Sequence, residues 1–128
     1  MKFSYPKSEK LKQKKTIDLL FSEGRSVSKY PLRLMYVLLE NDSNSELKFG
    51  ASVSKKYFKK AVDRNYYKRV LRESFRLNKH LILDNLDNTY AIMLFYQSSD
   101  RLPYQEIHLK TIQLLEKFRK QIEYDKNE

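Results

Sequence analysis

From Lys59 to Asn78 the chain runs through 20 residues with neither Gly nor Pro, and two kinds of side chain alternate there with helical spacing. At about 100° per residue, Arg64, Asn65, Lys68, Arg69, Arg72 and Arg76 share an arc of roughly 140°. Tyr66, Tyr67, Val70, Leu71, Ser74 and Leu77 fall on the opposite side, and Phe75 is the exception, lying inside the basic arc. Such a helix seals a core with one face and presents a row of cations with the other. Cations four residues apart repel in an isolated helix, so a row of them implies a compensating anion. The planar fork of Arg suits bidentate contact to phosphate.

The imbalance is local. Residues 48–80 hold eleven Lys or Arg (Lys48, Lys55, Lys56, Lys59, Lys60, Arg64, Lys68, Arg69, Arg72, Arg76 and Lys79) against Asp63 and Glu73, a net of +9 within a chain of +10. Ordinary solvated surfaces mix signs. This segregation points to a polyanion, nucleic acid before anionic membrane.

The rest of the pattern builds an α+β domain. A helix is predicted from about Ser8 to Glu23, with Ile17, Leu20 and Phe21 at helical spacing and Gly24 as its left-handed C-terminal residue. Leu32 to Leu39 alternates with period two and reads as a strand, with a short extra strand weakly signalled near Val27. The polar turn Asn41 to Ser45 leads to a strand carrying Leu47, Phe49, Ala51 and Val53, and the pair reads as an antiparallel hairpin. After the basic helix and a polar break from Asp84 to Asn88, the unbroken apolar run Tyr90–Tyr96 has the character of a central strand. Pro103 then starts a last helix whose core stripe is Ile107, Thr111, Leu114, Leu115, Phe118 and Ile122. The expectation is one domain over 1–128, helix–hairpin–helix–strand–helix around a roughly four-stranded sheet, with residues 1–7 and 124–128 frayed.

Several function classes fall away. The absence of Cys excludes a disulfide scaffold, Cys-based zinc or iron–sulfur sites and a thiol nucleophile. His80 and His108 stand far apart and are read as surface or helix-end residues, and no metal-ligand spacing occurs. Asp84, Asp87 and Asp100 lie in turn-like segments where Asp caps or forms Asx turns, and Asp63 and Glu73 read as surface acids. No catalytic or metal-binding residue is therefore assigned, and no small-molecule substrate is expected. The longest apolar runs fall far short of the ~20 residues of a membrane span. With no hydrophobic stretch behind Lys2, a cytoplasmic location without a membrane partner is the expectation.

The ordered block Phe49-Gly50-Ala51-Ser52-Val53-Ser54-Lys55-Lys56, Ala61-Val62-Asp63-Arg64-Asn65 and Lys68-Arg69-Val70-Leu71-Arg72-Glu73-Ser74-Phe75-Arg76 closely resembles the bacterial ribonuclease P protein family. Leu11, Ile17, Leu20, Phe21 and Gly24 extend the likeness, which covers about residues 10–120. The resemblance implies a basic subunit of an RNA-based endoribonuclease that matures the 5′ end of precursor tRNA. Hydrolysis would be carried by the RNA, with Mg²⁺ held mainly by that RNA and no cofactor in the protein, which alone would not cleave. It also implies a left-handed β-α-β crossover around the basic helix, against the usual hand. Carried over by position, Arg64, Asn65, Lys68, Arg69 and Arg72 match the RNA-contacting motif, and Lys55 and Lys56 match its loop. Lys60 and Arg76 join them on charge and geometry. Tyr66 stands where the family has a third motif Arg, and an Arg common after the last strand's apolar run is replaced around Phe95-Tyr96.

The same resemblance implies a cleft for the single-stranded 5′ leader of the substrate. Ile17, in a position where Phe is usual, and Phe21 would form one wall, with Arg33 and Met35 from the facing strand. Flat apolar groups suit unpaired nucleotides because every base has a π-face. A ribosomal-type or chaperone RNA-binding protein explains charge and fold equally well but not the order of the motif. A helix-turn-helix DNA reader wants two short helices joined by a tight turn, whereas here strands and a Lys-rich loop precede the basic helix.

Overall fold

The structure, a computed structural model, describes residues 14–39, 47–83 and 89–126. Within them the chain runs α1 (Lys14–Glu23), β1 (Arg25–Lys29), β2 (Leu32–Leu39), β3 (Lys48–Val53), α2 (Ala61–Asn78), α3 (His80–Leu83), β4 (Thr89–Tyr96) and α4 (Tyr104–Lys126). The fold is α+β, with one four-stranded mixed sheet in the order β1-β2-β4-β3. The start of the first helix before residue 14, Leu11, the Asn41–Ser45 turn, the Asp84–Asn88 break and the fraying of residues 1–7 lie outside the described residues.

The expected hairpin between residues 32–39 and 47–53 is not formed. β2 pairs antiparallel with β1 and with β4, and β3 pairs parallel with β4, so β4 stands between the two strands expected to be partners. The reason lies in β4 itself. All of its residues except Phe95 are buried, and a strand apolar on both faces loses most by standing at an edge. The real hairpin is β1–β2, closed through Tyr30 and a cis Pro31, so the weakly signalled strand at Val27 is present.

Gly24 is also corrected. It does not adopt a left-handed conformation. Its N–H donates to the Leu20 carbonyl at 2.9 Å, extending the helical bonding by one residue. A Cβ there would collide with that same carbonyl, and the Tyr36 carbonyl of β2 lies 3.2 Å from where it would stand. Glycine is required by the close approach of backbone, not by a positive φ.

α2 and α4 cover one face of the sheet. Leu34, Tyr36, Phe49, Ile92, Leu94 and Tyr96 meet Tyr67, Leu71 and Phe75 of α2 and Ile107, Leu114, Leu115, Phe118 and Ile122 of α4 in one buried cluster. Every member of the stripe expected on the last helix is buried, including Thr111, whose hydroxyl donates to the Ile107 carbonyl at 2.9 Å. Phe75 is fully buried and stacks on Phe49 at 3.8 Å between ring centroids, so it belongs to the core face and not to the basic arc. Tyr66 turns the other way and is 43% exposed. The core-facing arc of α2 is thus rotated toward Phe75, which has no polar atom to keep in water, and away from Tyr66, which has one.

Among the described residues, the other face of the sheet carries only α1. Leu20 packs there on Met35, Val37, Ala91 and Met93, flanked by Leu19, Leu39 and Phe95. The C-terminal helix runs past residue 124, where the frayed end was expected to begin. It continues to Lys126, and Asp125 accepts hydrogen bonds from Arg25 at 2.7 Å, Tyr36 at 3.2 Å and Gln121 at 3.1 Å. Residues 127–128 lie outside the described residues.

Candidate nucleic-acid interface

The basic surface begins in the loop after β3. The Ser54 carbonyl accepts from the N–H groups of Tyr57 and Phe58 at 3.1 and 3.2 Å, and the Ser54 hydroxyl accepts from the Lys56 N–H at 3.0 Å. This compact turn sends Lys55 and Lys56 into solvent while Phe58 is buried against Tyr67 and Tyr96. The Lys56 ammonium lies 5.5 Å from the centre of the Tyr57 ring. Lys60, also exposed, occupies the N-cap of α2 with extended backbone and offers no side-chain cap. The positive end of the helix dipole therefore adds to the local field.

Along α2 the expected cations divide. Asn65, Arg69 and Arg72 are exposed, and Lys68 is half-buried beside them. These four line a shallow, open depression of about 600 Å³ together with Val62 and Tyr66. Arg64 is turned back along the helix end, donating to the Phe58 and Lys59 carbonyls at 3.0 and 2.8 Å. It braces the loop against the helix. Arg76, half-buried, is held by Glu73 at 2.5 Å. A contiguous outer row thus consists of Asn65, Lys68, Arg69 and Arg72, with Arg64 and Arg76 already engaged at its two ends.

One positioning contact was invisible in the sequence. Arg101, in the segment before α4, makes a two-pronged contact with Asp63 at 3.1 and 3.4 Å and lies 5.3 Å from the Phe58 ring centre. The hydrogen bond from Arg101 holds the Asp63 carboxyl below its ordinary range. Asp63, expected to be a plain surface acid, ties the N-terminal turn of α2 to the segment that leaves β4 at the same end of the sheet. Nothing local signals this, because the partners are 38 residues apart. The same segment is fixed by Tyr96, whose hydroxyl donates to the Asp100 carbonyl and accepts from the Leu102 N–H at 3.0 Å. Burial pushes the Tyr96 phenol up to about 12. The Asp100 carboxylate accepts from the Tyr30 hydroxyl at 3.0 Å, a contact across 70 residues in place of the local cap or Asx turn expected of it.

The second candidate surface lies on the α1 side of the sheet. Register places Arg33 beside Phe95 and Phe95 beside Ser52, then Met35 beside Met93 and Met93 beside Gly50. Phe21, 57% exposed, sets its ring edge-to-face against Phe95 at 6.0 Å. Met35 is buried, whereas Ile17, Arg33 and Phe95 are half-buried. Three of the four expected cleft residues therefore offer surface, and Met35 forms floor. Phe95 was not singled out from the sequence; its signal was an aromatic on the same strand face as Met93.

No carboxylate or imidazole cluster of three that could hold a metal ion occurs among the described residues. Asp84 and Asp87 lie outside them. His80 is exposed at the start of α3, as expected, whereas His108 points inward, its Nε2 3.2 Å from the Asn78 amide nitrogen between α2 and α4. No helix among the described residues is long and apolar enough to cross a membrane.

Known proteins share this fold. A ribonuclease P protein component from Porphyromonas gingivalis is 42% identical over 103 residues, covering 79% of this chain and 75% of the relative. The fold matches the RNase P protein of Staphylococcus aureus with a TM-score of 0.70 at 22% identity, over 86% of this chain and 94% of the other. The RNase P protein of Thermotoga maritima matches with a TM-score of 0.67 at 24% identity, over 85% and 96%. The sequence model of the Ribonuclease P family covers residues 5–119, and with that span and these relatives the chain belongs to the ribonuclease P protein family.

Proposed function

We propose that this chain is the protein subunit of a ribonuclease P ribonucleoprotein, binding the catalytic RNA through α2 and its preceding loop. The observation that carries the reading is the segregation of charge. Residues 48–80 hold a net +9 within a chain of +10, +7 of it in the loop before α2 and α2 itself, and Asn65, Lys68, Arg69 and Arg72 share the outer side of that helix. Lys55, Lys56 and Lys60 extend the contact through the loop, while Arg64 and Arg76 hold its ends. The 5′ leader of precursor tRNA lies on the α1 side of the sheet, where Phe21, Ile17, Arg33 and Phe95 offer flat apolar surface and one cation. Such groups take unpaired bases without reading sequence.

In this reading the protein supplies binding and orientation. Hydrolysis belongs to the RNA and to Mg²⁺ held mainly on RNA phosphates, and the complex works in the cytoplasm.

The test is affinity for a bacterial ribonuclease P RNA across a salt series, with the wild type and with Arg69→Ala plus Arg72→Ala. Each neutralised phosphate adds roughly 0.7–0.9 to the slope of log affinity against log salt. The double variant is expected to lower the slope by about that amount per side chain lost. A wild-type slope near zero overturns the reading.

A further inference from the structure

Val62, Tyr66 and Arg69 recur at helical spacing along one edge of the cationic face of α2. Val62 is 70% exposed. Scattered exposed apolar side chains are ordinary. These two instead share a concavity with Asn65, Lys68, Arg69 and Arg72, so flat apolar surface and positive charge converge on one site.

The Tyr66 ring is also held in place. It meets the Tyr67 ring at 5.0 Å and 84°. Tyr67 is buried, stacked on Phe58 at 4.7 Å and tilted against Tyr96 at 4.8 Å. A column of buried aromatics thus braces the exposed ring from behind, so little side-chain freedom remains to be lost on binding. The guanidinium carbon of Arg69 lies 5.9 Å from the centre of the same ring on a flexible stem. An arginine in that place can stack on a base or swing to a neighbouring phosphate.

We propose that Val62, Tyr66 and Arg69 form a stacking platform for one unpaired nucleobase of the bound RNA, its flanking phosphates lying on Lys68 and Arg72. The proposal rests on the RNA-binding reading above and names what this part of the helix takes. A continuous duplex does not fit, since its bases are stacked inside and give Tyr66 only a sugar–phosphate edge. A bulged or looped nucleotide exposes the π-face that the platform needs. Asn65 adds an amide that can both donate to and accept from a base edge.

The test uses four RNA hairpins of identical stem: one with a single bulged adenosine, one with a bulged uridine, one with an abasic nucleotide at the bulge and one without a bulge. The wild type is expected to bind the adenosine bulge roughly tenfold more tightly than the abasic one, with uridine between them. Tyr66→Phe keeps that preference. Tyr66→Leu abolishes it, bringing the adenosine and abasic bulges to equal affinity, while Arg72→Ala weakens all four hairpins by one common factor. Equal binding of adenosine and abasic bulges by the wild type overturns the platform and leaves the phosphate contacts standing. A uniform loss across the four RNAs in Tyr66→Leu also overturns it. If none of the hairpins binds with salt-dependent affinity, the RNA-binding reading falls and the platform with it.

Discussion

The two faces of the sheet are made from the same strands but are closed to different degrees. One lies under the 18 residues of α2 and the 23 of α4, and its ring contacts include Phe49–Phe75 and Tyr36–Phe118. The other lies, among the described residues, under the 10 residues of α1, which buries a single side chain, Leu20. Phe21 sits one residue later on that helix and stays largely in solvent. Among the described residues, most of the burial lies on the first face, and the second keeps part of its apolar surface uncovered. An apolar strip beside Arg33, on the side away from the main core, can then accept a flat, charged ligand without the fold depending on it.

The most forceful way to break this division is Phe75→Ala. Removing a fully buried ring stacked on Phe49 should cost about 3–5 kcal/mol of stability, read by denaturant unfolding. A loss as small as that of an exposed residue would deny α2 its place in the core. On the open face, Phe21→Ala should change stability by less than about 1 kcal/mol. It should nevertheless weaken binding of precursor tRNA relative to leaderless tRNA by about 1–3 kcal/mol, the worth of one stacked base. A large stability loss with no leader-dependent change would make Phe21 core.

Titration separates the faces further. Tyr96 belongs to the closed face, and its folded-state value of about 12 lies above that of an unfolded tyrosine. Its contribution is fully present below pH ~10 and is lost as pH rises from there through the folded value. Alkaline unfolding should therefore be displaced in Tyr96→Phe, whose pH profile flattens in that window.

The smallest effect belongs to the exposed Asp63–Arg101 contact. Because the folded value of Asp63 is depressed, its contribution is present above the ordinary Asp range and fades as pH falls through the folded value. Asp63→Asn should remove that shallow acid dependence, with chemical-shift changes confined to the start of α2 and the segment before α4. A dependence unchanged in Asp63→Asn would show that the contact contributes nothing to it.

Element types were legible because their periods are local. The alternation of residues 32–39, the unbroken apolar run at 90–96 and the stripe from Ile107 to Ile122 each dictate one kind of structure within a single segment. Strand order was not local. Reading β2 and β3 as partners followed from their closeness in sequence, whereas the buried character of β4 on both faces requires neighbours on both sides, and β4 takes its place between them. The exchange of Phe75 and Tyr66 has a similar cause. Helical angles tell which residues share a side, but only the direction of the core decides where the boundary falls.

The candidate site divides along the same line. Its outer cations were readable from charge and spacing, since a face turned to solvent needs no knowledge of tertiary contacts. The Glu73 partner of Arg76 is a local pair three residues apart and the turn of Arg64 follows from the loop just before α2, whereas the Arg101 clamp on Asp63 and the pairing of Phe21 with Phe95 depend on distant segments meeting in space.

The proposed role is to assist an RNA catalyst without itself cutting. The direct measurement is cleavage of precursor tRNA at low Mg²⁺ by a bacterial ribonuclease P RNA, with RNA alone, protein alone, both together, and both with Arg69→Ala plus Arg72→Ala. Expected are an inert protein, a feeble RNA, restored cleavage in the wild-type mixture and little restoration by the double variant. Cleavage by rigorously nuclease-free protein alone, or a mixture no faster than the RNA by itself, would contradict it.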